Sequence, residues 1–392
     1  MKYKKYILTS FFVLFLSACA QSGGIFPQIN LNTTEALAKF PNPINIVVDE
    51  TNSQILVVNS NVDVLFNSGS LAVLSVNASN VGAPTLTATS VIETPNYAGE
   101  AFFDGVSSVY IPFRAESATN TAVDQFNKYS LTANSVTETI AGTVSSDPFG
   151  VSGLGGLIYV VSNNVLELYD ANLALQSSVD LTAAETANIN DSSGVNVLTV
   201  ALDATFNLGL VSNPGGRTMI IDLATNAIRQ VIEGPLSTRN IIIDGNGIAY
   251  ILDSVTETIW VFDLSLLPAP TGATPQNVDD SNFLLGAVKV GSGPNGMVLD
   301  AANNRLYVGN FNDDSISVVD TLSLQEVDRF SLKQADISTN FLRECDGPFD
   351  LKMGTFNSTS YLFVACFLSH NVAIISPLSL NVLTMFPNTV LD

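Results

Sequence analysis

Short apolar runs alternate with polar turn residues along most of the chain, and one pattern recurs seven times. Each copy starts near a Pro or Gly and continues with an apolar run that ends in Asp. A run rich in Tyr and Val follows, and then a polar loop and a further apolar run. The clearest copy contains Gly293 and Pro294 followed by residues 297–300, 307–310 and 315–320. Runs of this length between turn residues predict β-strands.

The seven copies predict a β-propeller. Their first runs are residues 46–49, 101–104, 151–153, 200–203, 241–244, 297–300 and 351–353. Spread over residues 41–387, they give about 50 residues per copy, which suits one four-stranded blade with occasional insertions. The insertions are residues 182–193 and 267–282, and the prolines of the second exclude it from a central strand. We therefore expect an all-β, seven-bladed propeller with four-stranded antiparallel blades in one domain, residues 41–392.

The second runs of the copies carry a family resemblance. Residues 56–59, 159–162, 210–213, 250–253, 307–310 and 363–366 resemble the YVTN repeat. The fifth copy, with residues 240–247 and Trp260, is similar to an NHL repeat. Both are β-propeller families, so the resemblance implies the same fold. It is weakest in the second copy, where Pro112 interrupts the second run.

The N-terminus predicts export. Lys2, Lys4 and Lys5 precede an apolar stretch at residues 6–16, as in a signal peptide. This stretch is shorter than the roughly 20 residues that span a bilayer. Residues 16–19, Leu-Ser-Ala-Cys, resemble the lipobox of bacterial lipoproteins, which implies a signal peptide at residues 1–18, lipidation of Cys19 and a lipidated tether at residues 19–40. By resemblance to enterobacterial lipoprotein sorting, Ala20 in place of Asp implies sorting to the outer membrane. The alternative is an ordinary secretory signal cut near Ala18.

Charge and composition limit the classes of molecule that the chain is expected to bind. The chain has 15 basic and 36 acidic residues and a formal net charge of −21. Such a charge repels phosphate backbones, so we expect no nucleic-acid partner. The expected partners are a membrane, through the N-terminal lipid, and an envelope protein, peptide or glycan.

One position per blade is expected to face the mouth of the central channel, because the first strand of each blade lines the channel. The residue before each first run occupies this position. These ring residues are Asn45, Glu100, Gly150, Thr199, Asn240, Gly296 and Asp350.

Four of the ring residues are candidate metal ligands. Closure of the ring places Asp350, Asn45 and Glu100 side by side, with Asn240 across from them. Carboxylate and amide oxygens are ligands that Ca²⁺ prefers. The set resembles the metal ligands of the gluconolactonase-like calcium propellers, although those have six blades. The alternative is a solvated polar rim without a metal.

Two further features of the seventh copy are its histidine and a pair of cysteines. His370 lies in the loop after the second strand of the seventh blade, where it either transfers protons at the mouth or is a solvated surface residue. Cys345 and Cys366 come to the same end of that blade. They form a disulfide there, which an export compartment permits, or remain buried thiols.

Three functions stay open. The first, which we favour, is a non-catalytic, lipid-anchored envelope propeller that binds a ligand or protein, because this needs only the fold, the anchor and exposed loops. The second is a calcium-dependent lactonase or esterase with the metal at the channel mouth. The third is a scaffold subunit of an outer-membrane complex, since the chain resembles the propeller lipoprotein of outer-membrane barrel assembly in anchor and architecture.

Overall fold

A computed structural model gives the fold of most of the chain. It describes residues 40–63, 65, 68–114, 124–182, 199–212, 217–269, 279–336 and 341–387. The predicted signal peptide, Cys19 and the tether up to residue 39 lie outside these residues. Residues 183–193 and 270–278 of the two insertions lie outside them as well.

The described residues form seven four-stranded antiparallel sheets, each built from strands that are consecutive in sequence. Blade 1 contains β1 (Pro43–Asp49), β2 (Gln54–Asn59), β3 (Gly69–Asn77) and β4 (Thr85–Thr94). Blade 2 contains β5 (Phe102–Phe103), β6 (Ser108–Phe113), β7 (Gln125–Thr132) and β8 (Ser135–Thr143). Blade 3 contains β9 (Gly150–Leu154), β10 (Leu157–Ser162), β11 (Val165–Tyr169) and β12 (Leu175–Asp180). Blade 4 contains β13 (Val200–Asp203), β14 (Leu208–Ser212), β15 (Thr218–Asp222) and β16 (Ala227–Ile232).

Blade 5 contains β17 (Thr238–Ile243), β18 (Ile248–Asp253), β19 (Thr258–Asp263) and β20 (Leu284–Lys289). Blade 6 contains β21 (Pro294–Asp300), β22 (Arg305–Asn310), β23 (Ser315–Asp320) and β24 (Gln325–Ser331). A hairpin of β25 (Lys333–Asp336) and β26 (Phe341–Glu344) follows. Blade 7 contains β27 (Pro348–Phe356), β28 (Thr359–Cys366), β29 (Asn371–Ser376) and β30 (Asn381–Phe386). Short 3-10 helices lie at Leu264–Leu266, Asp280–Asn282 and Ala301–Asn303.

This architecture confirms the predicted seven-bladed propeller. Pro112 does not break blade 2, since β6 continues through it and pairs with β7. The inner strand of that blade is only two residues long. Among the described residues no helix is long and apolar enough to cross a membrane.

The core explains why the strands are apolar runs rather than alternating ones. Within the described ranges the buried apolar residues form seven clusters, one between each pair of neighbouring blades, so the middle strands are covered on both faces. The recurring Asp at strand ends has a local role. Asp320, for example, accepts hydrogen bonds from the backbone N–H groups of Leu322 at 3.1 Å and Ser323 at 2.8 Å, which fixes the turn.

Four of the seven inner strands, β1, β17, β21 and β27, share an irregularity at their starts. The pairing register shifts between Pro43 and Asn45, between Thr238 and Asn240, between Pro294 and Met297, and between Pro348 and Asp350. Each shift inserts one extra residue where the strand enters the channel wall. A bulge of this kind redirects side chains, and the site described below depends on it.

The ring closes between blades 7 and 1 through side chains. Phe40 packs on Phe386 with ring centroids 5.7 Å apart, in a buried cluster shared by the two blades. The Tyr361 hydroxyl donates to the carbonyl of Val81 at 3.3 Å. Blade 7 supplies its own outer strand, β30, within the described residues. Closure there therefore rests on packing between two complete blades.

A disulfide joins Cys345 to Cys366, with Cα atoms 5.1 Å apart. Cys345 lies between the β25–β26 hairpin and blade 7, and Cys366 ends β28. Both residues are fully buried. The bond ties the start of the last blade to its second strand.

Candidate ligand-binding site

A cavity of about 510 Å³ lies on the propeller axis and is lined by residues at the inner strand of every blade. Six of the seven ring residues line it: Asn45, Glu100, Thr199, Asn240, Gly296 and Asp350. In blade 3 the lining residues are Phe149 and Val151, on either side of Gly150. The structure thus brings Asn45, Glu100, Asn240 and Asp350 to one cavity.

Asp350 is already engaged on both carboxylate oxygens. Its Oδ1 accepts a hydrogen bond from Lys352 Nζ at 2.8 Å, and its Oδ2 accepts one from the backbone N–H of Ile46 at 2.9 Å. The second bond links blade 7 to blade 1. Since Asp350 is only 5% exposed, the pair with Lys352 compensates a nearly buried charge.

Glu100 sits in a mixed electrostatic environment. Burial is the main influence and raises the pKa of its carboxyl group to about 7, while the positive charge of Lys352 lowers that pKa and the negative charge of Asp350 raises it. The Thr199 hydroxyl donates to Glu100 Oε2 at 3.5 Å, and Arg239 also favours the ionised form. Glu100, Arg239, Asp350 and Lys352 all line the same cavity.

Arg239 is a cavity residue that the sequence analysis missed. It is 8% exposed, and its guanidinium carbon lies 5.1 Å from the ring centroid of Phe349. Its Nε donates to Asn295 Oδ1, and Asn295 Nδ2 donates to the carbonyl of Phe349 at 2.6 Å. Burial lowers the pKa of Arg239 to about 10, which leaves the group charged at neutral pH.

The bulges explain why Arg239 was missed. One residue per blade was expected at the mouth, but at the bulges in β1 and β17 the residue before the ring residue also lines the cavity, Ile44 before Asn45 and Arg239 before Asn240. A sequence signal for this exists. Pro43, Pro294 and Pro348 each lie two residues before a ring residue, and proline inside a sheet marks an edge or a bulge.

A second guanidinium lies near the first. Arg114, directly after β6, stacks on Phe149 at 5.1 Å, and its charge lowers the pKa of Arg239. Asp124 and Asp147 favour the charged form of Arg114, whose pKa burial lowers. Arg114 is not among the residues that line the cavity, and the charges of Asp124 and Asp147 oppose its own.

The predicted calcium ligands share the cavity but do not form a ready calcium site. Asn45 Oδ1 is buried without a hydrogen-bond partner among the described residues, which would suit a ligand atom. Both Asp350 oxygens, however, are taken, and Lys352 and Arg239 bring two positive charges to the same cavity. The described residues contain no group of three or more His, Cys, Asp or Glu side chains placed to hold a metal. Calcium binding through Asp350 Oδ1 would have to displace Lys352, so the calcium site stays a prediction that this arrangement does not favour.

His370 lies outside the cavity lining. Its Nδ1 accepts a hydrogen bond from the backbone N–H of Asn42 at 3.1 Å, so it contacts the start of blade 1 across the seam. Burial lowers its pKa, partly opposed by the charge of Asp63. The structure therefore places His370 at ring closure rather than among the groups of the channel.

Comparisons with known proteins support the fold alone. No protein-family model matches the chain, and no curated protein matches it in sequence. The periplasmic gluconolactonase of Pseudomonas aeruginosa is similar in structure, with a TM-score of 0.60 and 14% identity over 81% of this chain and 91% of that one. The hydrazine synthase of Kuenenia stuttgartiensis gives 0.58 and 14% over 87% and 97% of the chains.

The WD40 propeller domain of Doa1 is similar as well, with a TM-score of 0.57 and 11% identity over 86% of this chain and 93% of that one. The names of these three proteins indicate no common activity, and each protein shares only 11–14% identity with this chain. The comparisons therefore establish a propeller and leave its activity open.

Proposed function

We propose that this protein is a lipid-anchored propeller of the bacterial cell envelope that binds a ligand at the mouth of its central channel and catalyses no reaction. The observation that carries the proposal is the axial cavity, in which charged and amide side chains from several blades converge. Concave sites with a few convergent polar groups are the usual place for small ligands.

The cavity groups are held in place by one another, which favours binding. Arg239 is fixed by Asn295 and by the Phe349 ring, and Lys352 is fixed by Asp350. All of them stand on inner strands at the centre of the ring rather than on outer loops. A preorganised site loses little conformational entropy when its ligand binds.

A ligand screen with a blocked channel tests this proposal. The purified full-length chain is screened by thermal shift against neutral sugars, sugar acids, amino acids, short peptides and CaCl₂. A ligand that binds only the native state raises the melting temperature. Asn240→Trp, which fills the cavity with an indole, should abolish the shift. If no compound raises the melting temperature, or if every shift persists in Asn240→Trp, the channel-mouth function is contradicted.

The envelope location rests on residues 1–19 and has its own test. Growth with a radiolabelled or alkyne-tagged fatty acid should label the wild-type chain and leave Cys19→Ser unlabelled. An unlabelled wild-type chain that is still exported would support the ordinary secretory signal instead.

The alternative function is a calcium-dependent lactonase or esterase. It draws on Glu100, a carboxyl group in the cavity beside the Thr199 hydroxyl, which would serve as acid or base. The similar fold of a gluconolactonase agrees with it at the level of architecture. Turnover of a lactone panel that a chelator removes and that Glu100→Ala abolishes would establish this function. Turnover that survives in Glu100→Ala would end it.

The scaffold alternative places the partner outside the channel. Crosslinking in intact envelopes should recover a membrane-protein neighbour with both the wild-type chain and Asn240→Trp if the blade loops make the contact. Recovery of no such neighbour would remove this alternative.

A further inference from the structure

Arg239 is a nearly buried cation without a carboxylate partner among the described residues. The guanidinium has one hydrogen bond in this part of the chain, from Nε to the neutral amide of Asn295. No ion pair within the described ranges includes it. Among the described residues the Glu100 carboxylate favours the charged form of Arg239, but it makes no ion pair with the guanidinium. Buried charges in proteins are normally paired by direct contact, so a carboxylate in direct contact with Arg239 is expected from outside this part of the chain.

The free donors of Arg239 are accessible from the cavity. Neither Nη atom donates a hydrogen bond to a described residue. The Nη atoms also do not belong to the polar atoms that are sealed from solvent without a partner. They are therefore in contact with open space, and Arg239 lines the axial cavity. A guanidinium presents two parallel N–H groups that match a carboxylate.

Lys352 adds a second cationic donor to the same cavity. Its ammonium group uses one hydrogen bond on Asp350 Oδ1, and its side chain is 36% exposed. An ammonium has three N–H donors. Lys352 can therefore hold Asp350 and an anion together. Lys352 and Arg239 both line the axial cavity.

Asn240 offers a polar contact of another kind. Its side chain lines the cavity, is half-buried and makes no hydrogen bond to a described residue. A carboxamide can donate and accept at once. This is the chemistry that recognises a hydroxyl group. Apolar neighbours such as Met297 and Phe349 supply the remaining wall.

We propose that the channel mouth binds a small hydroxylated carboxylate of the hexuronic-acid class, with its carboxylate on Arg239 and Lys352 and a hydroxyl group on Asn240. The cavity of about 510 Å³ is large enough for a single sugar ring. This inference rests on the proposed ligand-binding function and assigns the ligand's chemistry.

Calorimetric titration of the full-length chain tests it with three matched compounds. Glucuronate carries both features, methyl glucoside lacks the carboxylate, and cyclohexanecarboxylate lacks the hydroxyls. Glucuronate should bind at least about tenfold more tightly than either of the others, because charge-assisted and neutral hydrogen bonds each contribute to affinity. Equal affinity of methyl glucoside overturns the anion site, and equal affinity of cyclohexanecarboxylate overturns the hydroxyl contact.

Variants assign the contacts. Arg239→Gln and Lys352→Gln should each weaken glucuronate about tenfold or more. Asn240→Leu should weaken glucuronate and leave cyclohexanecarboxylate unchanged. Arg329→Gln, which removes an exposed arginine on β24, is the matched control and should bind like the wild type. Unchanged glucuronate affinity in both Arg239→Gln and Lys352→Gln overturns the proposal.

Two failures are distinguishable. If glucuronate does not bind but a neutral sugar or peptide shifts the melting temperature and Asn240→Trp abolishes that shift, the channel-mouth function stands and the anion inference falls. If no compound in the wider screen binds at the mouth, both fall. Circular dichroism of each variant establishes that it is folded before its affinity is interpreted.

Discussion

Gly296 shows how closely the inner strands approach one another at the channel mouth. A Cβ atom at this position would lie 2.6 Å from the carbonyl oxygen of Phe349 and 3.0 Å from the Cα atom of Asp350, in the neighbouring blade. Both contacts are with backbone, which cannot move aside as a side chain can. Only glycine fits here without displacing blade 7 from blade 6.

We expect Gly296→Ala to lower the free energy of unfolding by about 1–3 kcal/mol, the usual cost of overpacking. Gly245→Ala is the control, because Gly245 lines the same cavity and a Cβ atom there meets nothing within 4 Å. Urea denaturation of both variants measures the difference. Equal stabilities would mean that blades 6 and 7 can separate at little cost.

A pair of carboxyl groups near the disulfide predicts a pH dependence of stability. Burial, and then the hydrogen bond and negative charge of Asp314, raise the pKa of Asp346 to about 6, while Lys333 opposes this. Asp314 also accepts from the backbone N–H of Gly347 at 2.9 Å and from Lys333 Nζ at 2.9 Å. The folded state thus binds a proton at Asp346 more tightly than the unfolded state.

The sign follows from linkage. Between about pH 4 and pH 6 the native chain holds this proton while the unfolded chain has lost it, so the contribution of Asp346 to stability decreases as the pH rises through this window. Asp346→Asn cannot titrate and still donates to Asp314. We expect the unfolding free energy of Asp346→Asn to fall less than that of the wild type between pH 4.5 and pH 7. Parallel pH profiles would contradict the shifted pKa.

At the scale of the element, the disulfide secures the last blade. Cys345 and Cys366 are 21 residues apart in sequence and join the segment before β27 to the end of β28. Since β27 lies beside β21 of blade 6 and β1 of blade 1, this strand completes the channel wall. Loss of the bond should loosen the site as well as the blade.

We expect Cys345→Ala combined with Cys366→Ala to lower the unfolding free energy by about 3 kcal/mol, since a cross-link restricts the unfolded chain. Guanidinium unfolding with and without dithiothreitol measures the effect. Reductant should destabilise the wild type and leave the double variant unchanged. A wild-type midpoint that does not move under full reduction would show that the bond contributes no stability.

At the scale of the whole molecule, the ring depends on the seam between blades 7 and 1. Phe40 is fully buried in the seam cluster and packs on Phe386. Thr355 donates its backbone N–H to Glu50 at 2.6 Å, and Asp350 accepts from Ile46 across the same interface. The seam therefore holds both the outer layer and the channel wall together.

We expect Phe40→Ala to lower the unfolding free energy by about 3–5 kcal/mol, as removal of a buried aromatic ring usually does. Phe283→Ala, in the cluster between blades 4 and 5, should lose a similar amount. Hydrogen exchange separates the two variants. Exchange in β1 and β30 should accelerate in Phe40→Ala only, and equal acceleration in both variants would show that the ring opens at no preferred place.

Much of this architecture could be predicted from sequence because it repeats. Strand-length apolar runs, bounded by turn residues, predicted seven blades and the inner strands, since a strand covered on both faces needs a continuous apolar run. The same repetition placed Asn45, Glu100, Asn240 and Asp350 at one opening, and the structure puts all four in the axial cavity. The repeated local pattern is therefore enough to predict which residues lie near the propeller axis.

The chemistry of the opening depended on contacts between blades, which no local pattern encodes. A register shift at the start of β17 brings Arg239 into the cavity, and Phe349 from blade 7 holds it there. Lys352 reaches Asp350 only because alternate residues of β27 lie on one side of the strand. Sequence therefore determined which backbone positions surround the axis, whereas tertiary structure decided which side chains are paired and what charge remains for a ligand.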